Sequence, residues 1–310
     1  MVRFKVVDLF SGVGGTTTGM LRAGCDVLVA ANHWRFAVAT HVLNHPQVHH
    51  EHRDLLRTDF SLYPDCDLAW ASISCQGQSQ AAQPARKRSP RVRMTHDQYR
   101  ATAWAIVDLA ECKEPEFVVV ENVVEFRRWK LYEGWRGCLE SLGYTVTENV
   151  LTASRWGVPQ RRKRLFVIGH RGRAVRIDEP RVPEPAFGPH IDWDTGEWIR
   201  VDEHPSPNVR SRVRRARERC GPRFITQNVT NHPGVPLDEP IRTITTADQW
   251  GVVDGDWYRL LTIEENLRAM GFPDTYKFPD GAKRGRIITG IGNAVCPGQA
   301  EGILRQLQAA

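Results

Sequence analysis

Over its first 170 residues the chain alternates short apolar runs with segments of helical periodicity. Residues 5–10, KVVDLF, form an apolar run that predicts a buried strand. The glycines Gly12, Gly14 and Gly15 follow, then a helix-like stretch to Ala23. The alternation repeats: CDVLVAAN (25–32) predicts a strand, 35–43 a helix, and DLAWASIS (67–74) a further strand. Residues 99–112 are amphipathic, with Trp104, Ile106, Val107 and Leu109 on the apolar side. EFVVVENV (116–123) is the strongest strand, 129–142 reads as a helix stopped by Gly143, and 164–169 as one more strand. Strands separated by helices imply parallel pairing with right-handed crossovers. The expected fold class is α/β, a doubly wound, mostly parallel sheet with helices on both faces.

After about residue 170 the texture changes. Residues 171–240 are rich in Pro, Arg and Trp with little periodicity, which predicts a small, less regular lobe; Trp193, Trp198 and Trp250 are candidates for its core. Helical patterning returns at 260–270, and GIGNAVCPGQAEGILRQLQ (290–308) reads as a glycine-led turn followed by a helix. The expected division is 1–175 plus 256–310 as the main domain and 176–255 as the lobe.

Composition narrows the class. A chain of 310 residues, 41% hydrophobic and 25% charged, suits a globular protein of one large domain or a large and a small one. No apolar run approaches the roughly 18–20 residues of a membrane span. The first residues run straight into a strand, without the pattern of a signal peptide. A net charge of +6 leans toward a polyanionic partner. The seven cysteines, Cys25, Cys66, Cys75, Cys112, Cys138, Cys220 and Cys296, include no CxxC pair; reduced thiols in a cytoplasm are the simplest reading. His41, His45, His49, His50 and His52 cluster, but no carboxylate or cysteine completes a convincing site, so no metal is expected.

Four segments carry candidate chemistry. Asp8 to Gly15 lets backbone approach a ligand at the carboxyl edge of a parallel sheet, although a tight strand-to-helix turn explains it equally well. Cys75 follows a buried strand, where a nucleophile could sit; most lone cysteines are simply small buried hydrophobes. Glu121 leaves a buried strand toward the same edge, or is a helix cap or a structural ion pair. Residues 160–164, QRRKR, lead into a strand, so alternate arginines face the sheet and need anionic or carbonyl partners.

Taken in order, these segments closely resemble the cytosine-5 DNA methyltransferase family. DLFSGVGG (8–15) matches its cofactor motif, CQGQS (75–79) its nucleophile loop, ENV (121–123) its acidic motif and QRRKR (160–164) its arginine motif. RTITT (242–246) with 248–251 resembles a late strand-loop element, and GIGNAV (290–295) with Pro297 the C-terminal cofactor motif. Only about 171–240 lies outside the resemblance.

The resemblance implies a Rossmann-like methyltransferase domain using S-adenosylmethionine and a lobe that reads DNA. Cys75 matches the nucleophile that adds to cytosine C6, and Glu121 the acid at N3. Arg164 matches the residue at the O2 edge, with Arg162 on the same face of its strand. Asp8, Phe10, Ser11, Gly12, Gly14 and Gly15 fall in the cofactor motif; Trp34, Asp54 with Leu55 beside it, Asn293 and Val295 match further cofactor positions. His33 stands where the family usually has a ribose-binding carboxylate, and Ile73 and Ser74 stand where it has prolines. Gln76 and Ser79 beside the nucleophile, Arg86, Lys87 and Arg88 after it, and Gln160 are candidate DNA contacts. So are Arg210, Arg212, Arg214 and Arg215 in the lobe, with an amphipathic surface helix as the alternative there. Double-stranded DNA is the implied partner of a monomeric bacterial or phage enzyme, with a companion restriction endonuclease. Three alternatives stay open: methylation of a tRNA cytosine, a DNA-binding relative with little activity, and transfer of a group other than methyl.

Overall fold

The computed structural model describes residues 2–73, 101–229 and 231–310. In chain order its elements are β1 (Lys5–Leu9), α1 (Gly15–Arg22), β2 (Asp26–Asn32), α2 (Arg35–Asn44), β3 (His49–His52), β4 (Leu68–Ser72), α3 (Trp104–Lys113), β5 (Phe117–Asn122), α4 (Tyr132–Ser141), β6 (Thr145–Thr152), β7 (Gln160–Arg161) and β8 (Lys163–His170). Then follow β9 (Ile199–Arg200), α5 (Pro207–Cys220), β10 (Arg223–Gln227), β11 (Ile241–Arg242), β12 (Trp250–Asp254), β13 (Trp257–Leu260), α6 (Ile263–Met270), α7 (Arg284–Asn293) and α8 (Pro297–Leu307).

Seven strands form one sheet in the order β3-β2-β1-β4-β5-β8-β6. The five from β3 to β5 pair in parallel. Each central strand is apolar on both faces, as helix cover demands. Val7, Leu9, Ala69, Ala71, Val118 and Val120 face α3 and α4, where Ile106, Leu109, Trp135 and Leu139 cover them. Val6, Leu68, Trp70, Phe117 and Val119 face the other way, toward Met20 of α1 and Ile303 and Leu304 of α8. The expected doubly wound architecture is present.

Two details differ from the sequence reading. β8 runs antiparallel to β5, and β6, absent from that reading, runs antiparallel to β8. The short 153–162 link holds no crossover helix, and parallel pairing needs a dozen or more residues of crossover. Gly290 to Asn293 are not a turn but the end of α7; the turn is Ala294–Cys296, before Pro297 opens α8. Gly290 and Gly292 mark contacts. A Cβ at 290 would lie 2.7 Å from Val13 Cγ1, and at 292 2.3 Å from the Thr245 carbonyl.

The lobe is more regular than its composition predicts. Four short strands form an antiparallel sheet, β10-β12-β13-β9, spanning residues 199–260 and so crossing residue 256. α5 packs on it through Val209, Val213 and Ala216. Trp250 is buried in the core shared with the main domain, alongside Val13, Ile244 and Ile291, with Trp193 and Trp198 against its edge. A buried pair ties this sheet to α6: both Arg259 Nη atoms lie 2.8 Å from the Glu265 carboxylate. That carboxylate also accepts the N–H of Thr262, closing a capping box.

Candidate active site

Parallel strands deliver their carboxyl ends to one edge of the sheet, and a cavity of about 290 Å³ lies there. Its wall joins Phe10, Gly12 and Val13 after β1, Asn32, His33 and Trp34 at the end of β2, Ser72 and Ile73 at the end of β4, and Glu121 and Val123 at the end of β5. Arg162 and Arg164 close it from β8, and Thr289, Gly290 and Asn293 from α7.

The turn after β1 is tight. Phe10 has φ 56, Gly12 φ 57 and Gly14 φ 97, all left-handed. Such a conformation at a phenylalanine costs of order 1–3 kcal/mol and persists only where the surroundings enforce it. Here the Ser11 N–H donates to the Ala31 carbonyl at 3.2 Å and the Gly14 N–H to the Ser11 carbonyl at 3.0 Å. Gly12 is open: its Cβ position meets nothing nearer than 4.0 Å. At the next strand the Asn32 side chain accepts the Trp34 N–H at 2.8 Å and fixes that corner.

Glu121 and Arg164 form the charged centre. Arg164 Nε stands 3.1 Å from Glu121 Oε1, and both side chains are largely buried. Burial pushes the Glu121 carboxyl above its ordinary range, against the pull of Arg164 and Arg162. A buried acid of this kind can hold a proton for a bound ring. β4 exits beside it, where Asn122 Nδ2 donates to the Ile73 carbonyl at 3.3 Å and Ser72 Oγ accepts from Trp70 Nε1 at 3.1 Å. Ser72 Oγ also lies 3.3 Å from Thr16 Oγ1, linking that strand end to α1. Cys75, Gln76, Ser79, Arg86, Lys87 and Arg88 lie outside the described residues. Among the other cysteines, burial pushes the thiols of Cys25 and Cys296 up to about 11 and that of Cys66 up to about 12, which suits inert core positions.

Several expected site residues stand elsewhere. Arg162 edges the cavity, but its Nη atoms donate to the carbonyls of Ile244, Gly292 and Ala294, each at 3.0 Å. Its guanidinium braces backbone on two segments beside the cavity. Gln160, read as a DNA contact, is fully buried: it accepts from the Ile244 N–H and donates to the Ala269 carbonyl. Asp8 is not in the cavity wall; it accepts from Thr17 Oγ1 at 2.7 Å beneath α1, and burial pushes its carboxyl up to about 7. Ser11, Gly14, Gly15 and Val295 shape the wall from behind: a Cβ on Gly15 would lie 2.1 Å from the Val295 carbonyl. Asp54 caps a turn by accepting the Leu56 N–H, and Leu55 is core. Arg212 is buried, bonded to Thr226 and Asn228, whereas Arg214 and Arg215 are exposed on α5. Arg210 donates to the His204 carbonyl.

The histidine cluster is packing around α1. His41 Nε2 lies 3.0 Å from Thr17 Oγ1, its Nδ1 2.7 Å from His50 Nε2, and His45 Nε2 3.2 Å from Thr18 Oγ1. Among the described residues no group of three or more His, Cys, Asp or Glu is arranged for a metal ion, and no helix is long and apolar enough to cross a membrane.

Val13, Asn32, Ser72, Ile73, Val123, Thr289 and Gly290 complete the wall without having been singled out as site residues. Thr289 and Gly290 precede Asn293 by one helical turn, a signal available only once that segment is read as helix.

This is the architecture of an α/β enzyme with its site at the carboxyl edge of the sheet. The model of the C-5 cytosine-specific DNA methylase family matches residues 4–199 and 189–309. The Type II methyltransferase M.HgiDI of Herpetosiphon aurantiacus is 34% identical over 178 residues, which span 55% of this chain and 53% of that protein. M.NlaX of Neisseria lactamica, another Type II methyltransferase, is 25% identical over 99% of this chain and 97% of its own. Among solved structures, S. pombe Dnmt2 methyltransferase superposes with a TM-score of 0.71 at 19% identity, covering 99% of both chains. The chain belongs to the C-5 cytosine-specific DNA methylase family and is a DNA cytosine-5 methyltransferase.

Proposed function

We propose that the protein transfers a methyl group from S-adenosylmethionine to C5 of a cytosine flipped out of double-stranded DNA, through a transient bond between Cys75 and C6. The observation that carries this reading is the buried Glu121–Arg164 pair in one cavity wall with the strained Phe10 turn. Ile73 belongs to the same wall, two residues before Cys75.

The wall suits the donor. Phe10 and Trp34 offer aromatic surface, Asn32 and His33 hydrogen-bonding groups, and Gly12 a backbone free of side chain. With Asn293 these residues would hold S-adenosylmethionine, which supplies an electrophilic methyl group on a sulfonium. The acceptor needs activation, because C5 within an aromatic ring is a poor nucleophile. Addition of the Cys75 thiolate to C6 gives C5 enamine character. Glu121, its carboxyl raised by burial, delivers a proton to N3 and draws electrons from C6. Arg164 holds that carboxylate from 3.1 Å and offers positive charge to the ring's O2 edge. After methylation a base removes the C5 proton, β-elimination returns Cys75 as a thiolate, and the N3 proton goes back to Glu121. Flipping the base costs a few kcal/mol, which duplex contacts from the lobe, including exposed Arg214 and Arg215, help to offset.

The test is nucleoside mass spectrometry of DNA from a methylation-free bacterial host expressing the wild type or Cys75→Ser. The expected result is 5-methylcytosine with the wild type alone. Cytosine of another added mass would overturn the donor, and no modified cytosine from folded wild-type protein would overturn the reaction.

A further inference from the structure

The lobe contains a second cavity, of about 390 Å³, between the N-terminal half of α5 and the turn after β10. Arg212 and Arg215 line it, with His204, Ser211, Asn228 and Asn231. No carboxylate is part of its wall.

Arg212 is the unusual member. It is 4% exposed, and its Nε donates to Thr226 Oγ1 at 3.1 Å and one Nη to Asn228 Oδ1. Among the described residues no carboxylate stands within ion-pair distance of it, and its other Nη has no hydrogen-bond partner. Burial, and then Arg215, push its guanidinium below the ordinary arginine value, and only Tyr258 opposes them. Burial also lowers His204, with Arg212 and Arg210 adding to the effect. Four other arginines of the lobe have an acid. Arg259, equally buried, has Glu265; Arg200, Arg217 and Arg223 have Asp202, Asp256 and Asp254. Arg212 is thus a buried cation of the lobe with no acid beside it among the described residues. A buried guanidinium normally has an anionic partner, because desolvating a lone cation is costly.

The recess is linked to the wall of the first cavity through residues 245–249. The Asn228 N–H donates to the Gln249 carbonyl at 2.6 Å, and the Thr245 carbonyl abuts Gly292, next to Asn293 of the cavity wall. The remaining Nη of Arg212, the Arg215 guanidinium and the hydroxyl and amide groups of Ser211 and Asn231 together suit a tetrahedral oxyanion with several acceptor atoms.

We propose that this recess seats one backbone phosphodiester of the DNA duplex, with Arg212 as the buried cation and Arg215 and Asn231 at its rim. This rests on the reading that the lobe binds DNA. A phosphate held here fixes the position of the duplex without reading its sequence.

The test compares wild type, Arg215→Gln and Ser211→Asp, each confirmed as folded by its thermal midpoint. Both substituted residues are exposed, so folding should survive. Fluorescence anisotropy with a labelled duplex gives log Kd against log salt. The slope should be shallower by about 0.9 in Arg215→Gln, one phosphate contact. Ser211→Asp should weaken binding of all duplex sequences alike. Unchanged slopes in both variants overturn the proposal. So does protection of the wild type, and not Ser211→Asp, by inorganic phosphate while the DNA slopes coincide, since the recess would then serve a free anion. A wild type that binds no duplex would overturn the DNA reading itself and the proposal with it.

Discussion

Replacing Arg162 by methionine tests whether that arginine touches the reaction or braces the site. The side chain is 2% exposed and donates to three carbonyls on two separate segments, Ile244 before the lobe's last strands and Gly292 and Ala294 at the end of α7. Hydrogen bonds to a charged donor contribute roughly 1.5–3 kcal/mol each, and removing the donor leaves three buried carbonyls unsatisfied. Against this, the buried guanidinium no longer has to be desolvated, which returns several kcal/mol. The net loss should therefore be about 2–4 kcal/mol, a sizeable fraction of the roughly 5–15 kcal/mol by which natural domains are stable. Urea unfolding followed by tryptophan fluorescence reads it directly. Because Asn293 lies between two of the braced carbonyls, KM for the methyl donor should rise more than kcat falls. A stability loss under about 1 kcal/mol combined with a collapse of kcat alone would refute the bracing role.

Other outcomes follow from the same structure. The Asp8 carboxyl, raised by burial to about 7, contributes stability that is present below pH 4 and lost as pH rises through 7, so Asp8→Asn should remove up to about 4 kcal/mol of pH dependence between pH 4 and 8. Thermal midpoints at several pH values check this, and parallel curves for the two proteins would contradict it. Glu265→Gln leaves Arg259 buried without its anion and should cost about 3–5 kcal/mol in urea unfolding, while Arg259→Met with Glu265→Leu should recover much of it. Gly14→Ala needs φ 97 and a Cβ 2.7 Å from Tyr276 Oη, so it should lose about 1–3 kcal/mol and weaken donor binding, measured by thermal midpoint and donor titration.

Much of the site was legible because the sheet's apolar runs end on it. KVVDL delivers Phe10, DVLVAAN delivers His33 and Trp34, and FVVVEN carries Glu121 as its penultimate residue. What escaped the sequence depends on partners far along the chain. Gln160 reads as a DNA contact and Arg162 as an inward arginine in need of an anion or a carbonyl; which backbone groups, 82 to 132 positions away, meet them is not in the local pattern. β6, TVTENVLT, shows no clean alternation because Asn149 is buried by a bond unrelated to its strand, its Oδ1 accepting the Ile177 N–H at 2.9 Å. β3, HHEH, is an edge strand without apolar residues. The lobe's strands, two to five residues each, are too short for periodicity to emerge.

The backward course of β8 makes the Glu121–Arg164 pair an indicator of correct folding. Glu121 leaves the sheet as its strand ends, and Arg164 enters nearby because its strand runs the other way, with Glu121 opposite Phe166. The two side chains meet only in that register. A slip of one residue would turn Arg164 to the opposite face and bring its neighbours toward the acid. An insertion or deletion in the 153–162 link that shifted β8 would therefore disarm the enzyme even if the chain remained compact. Activity and strand alignment are inherited together, so a misaligned molecule is a silent one.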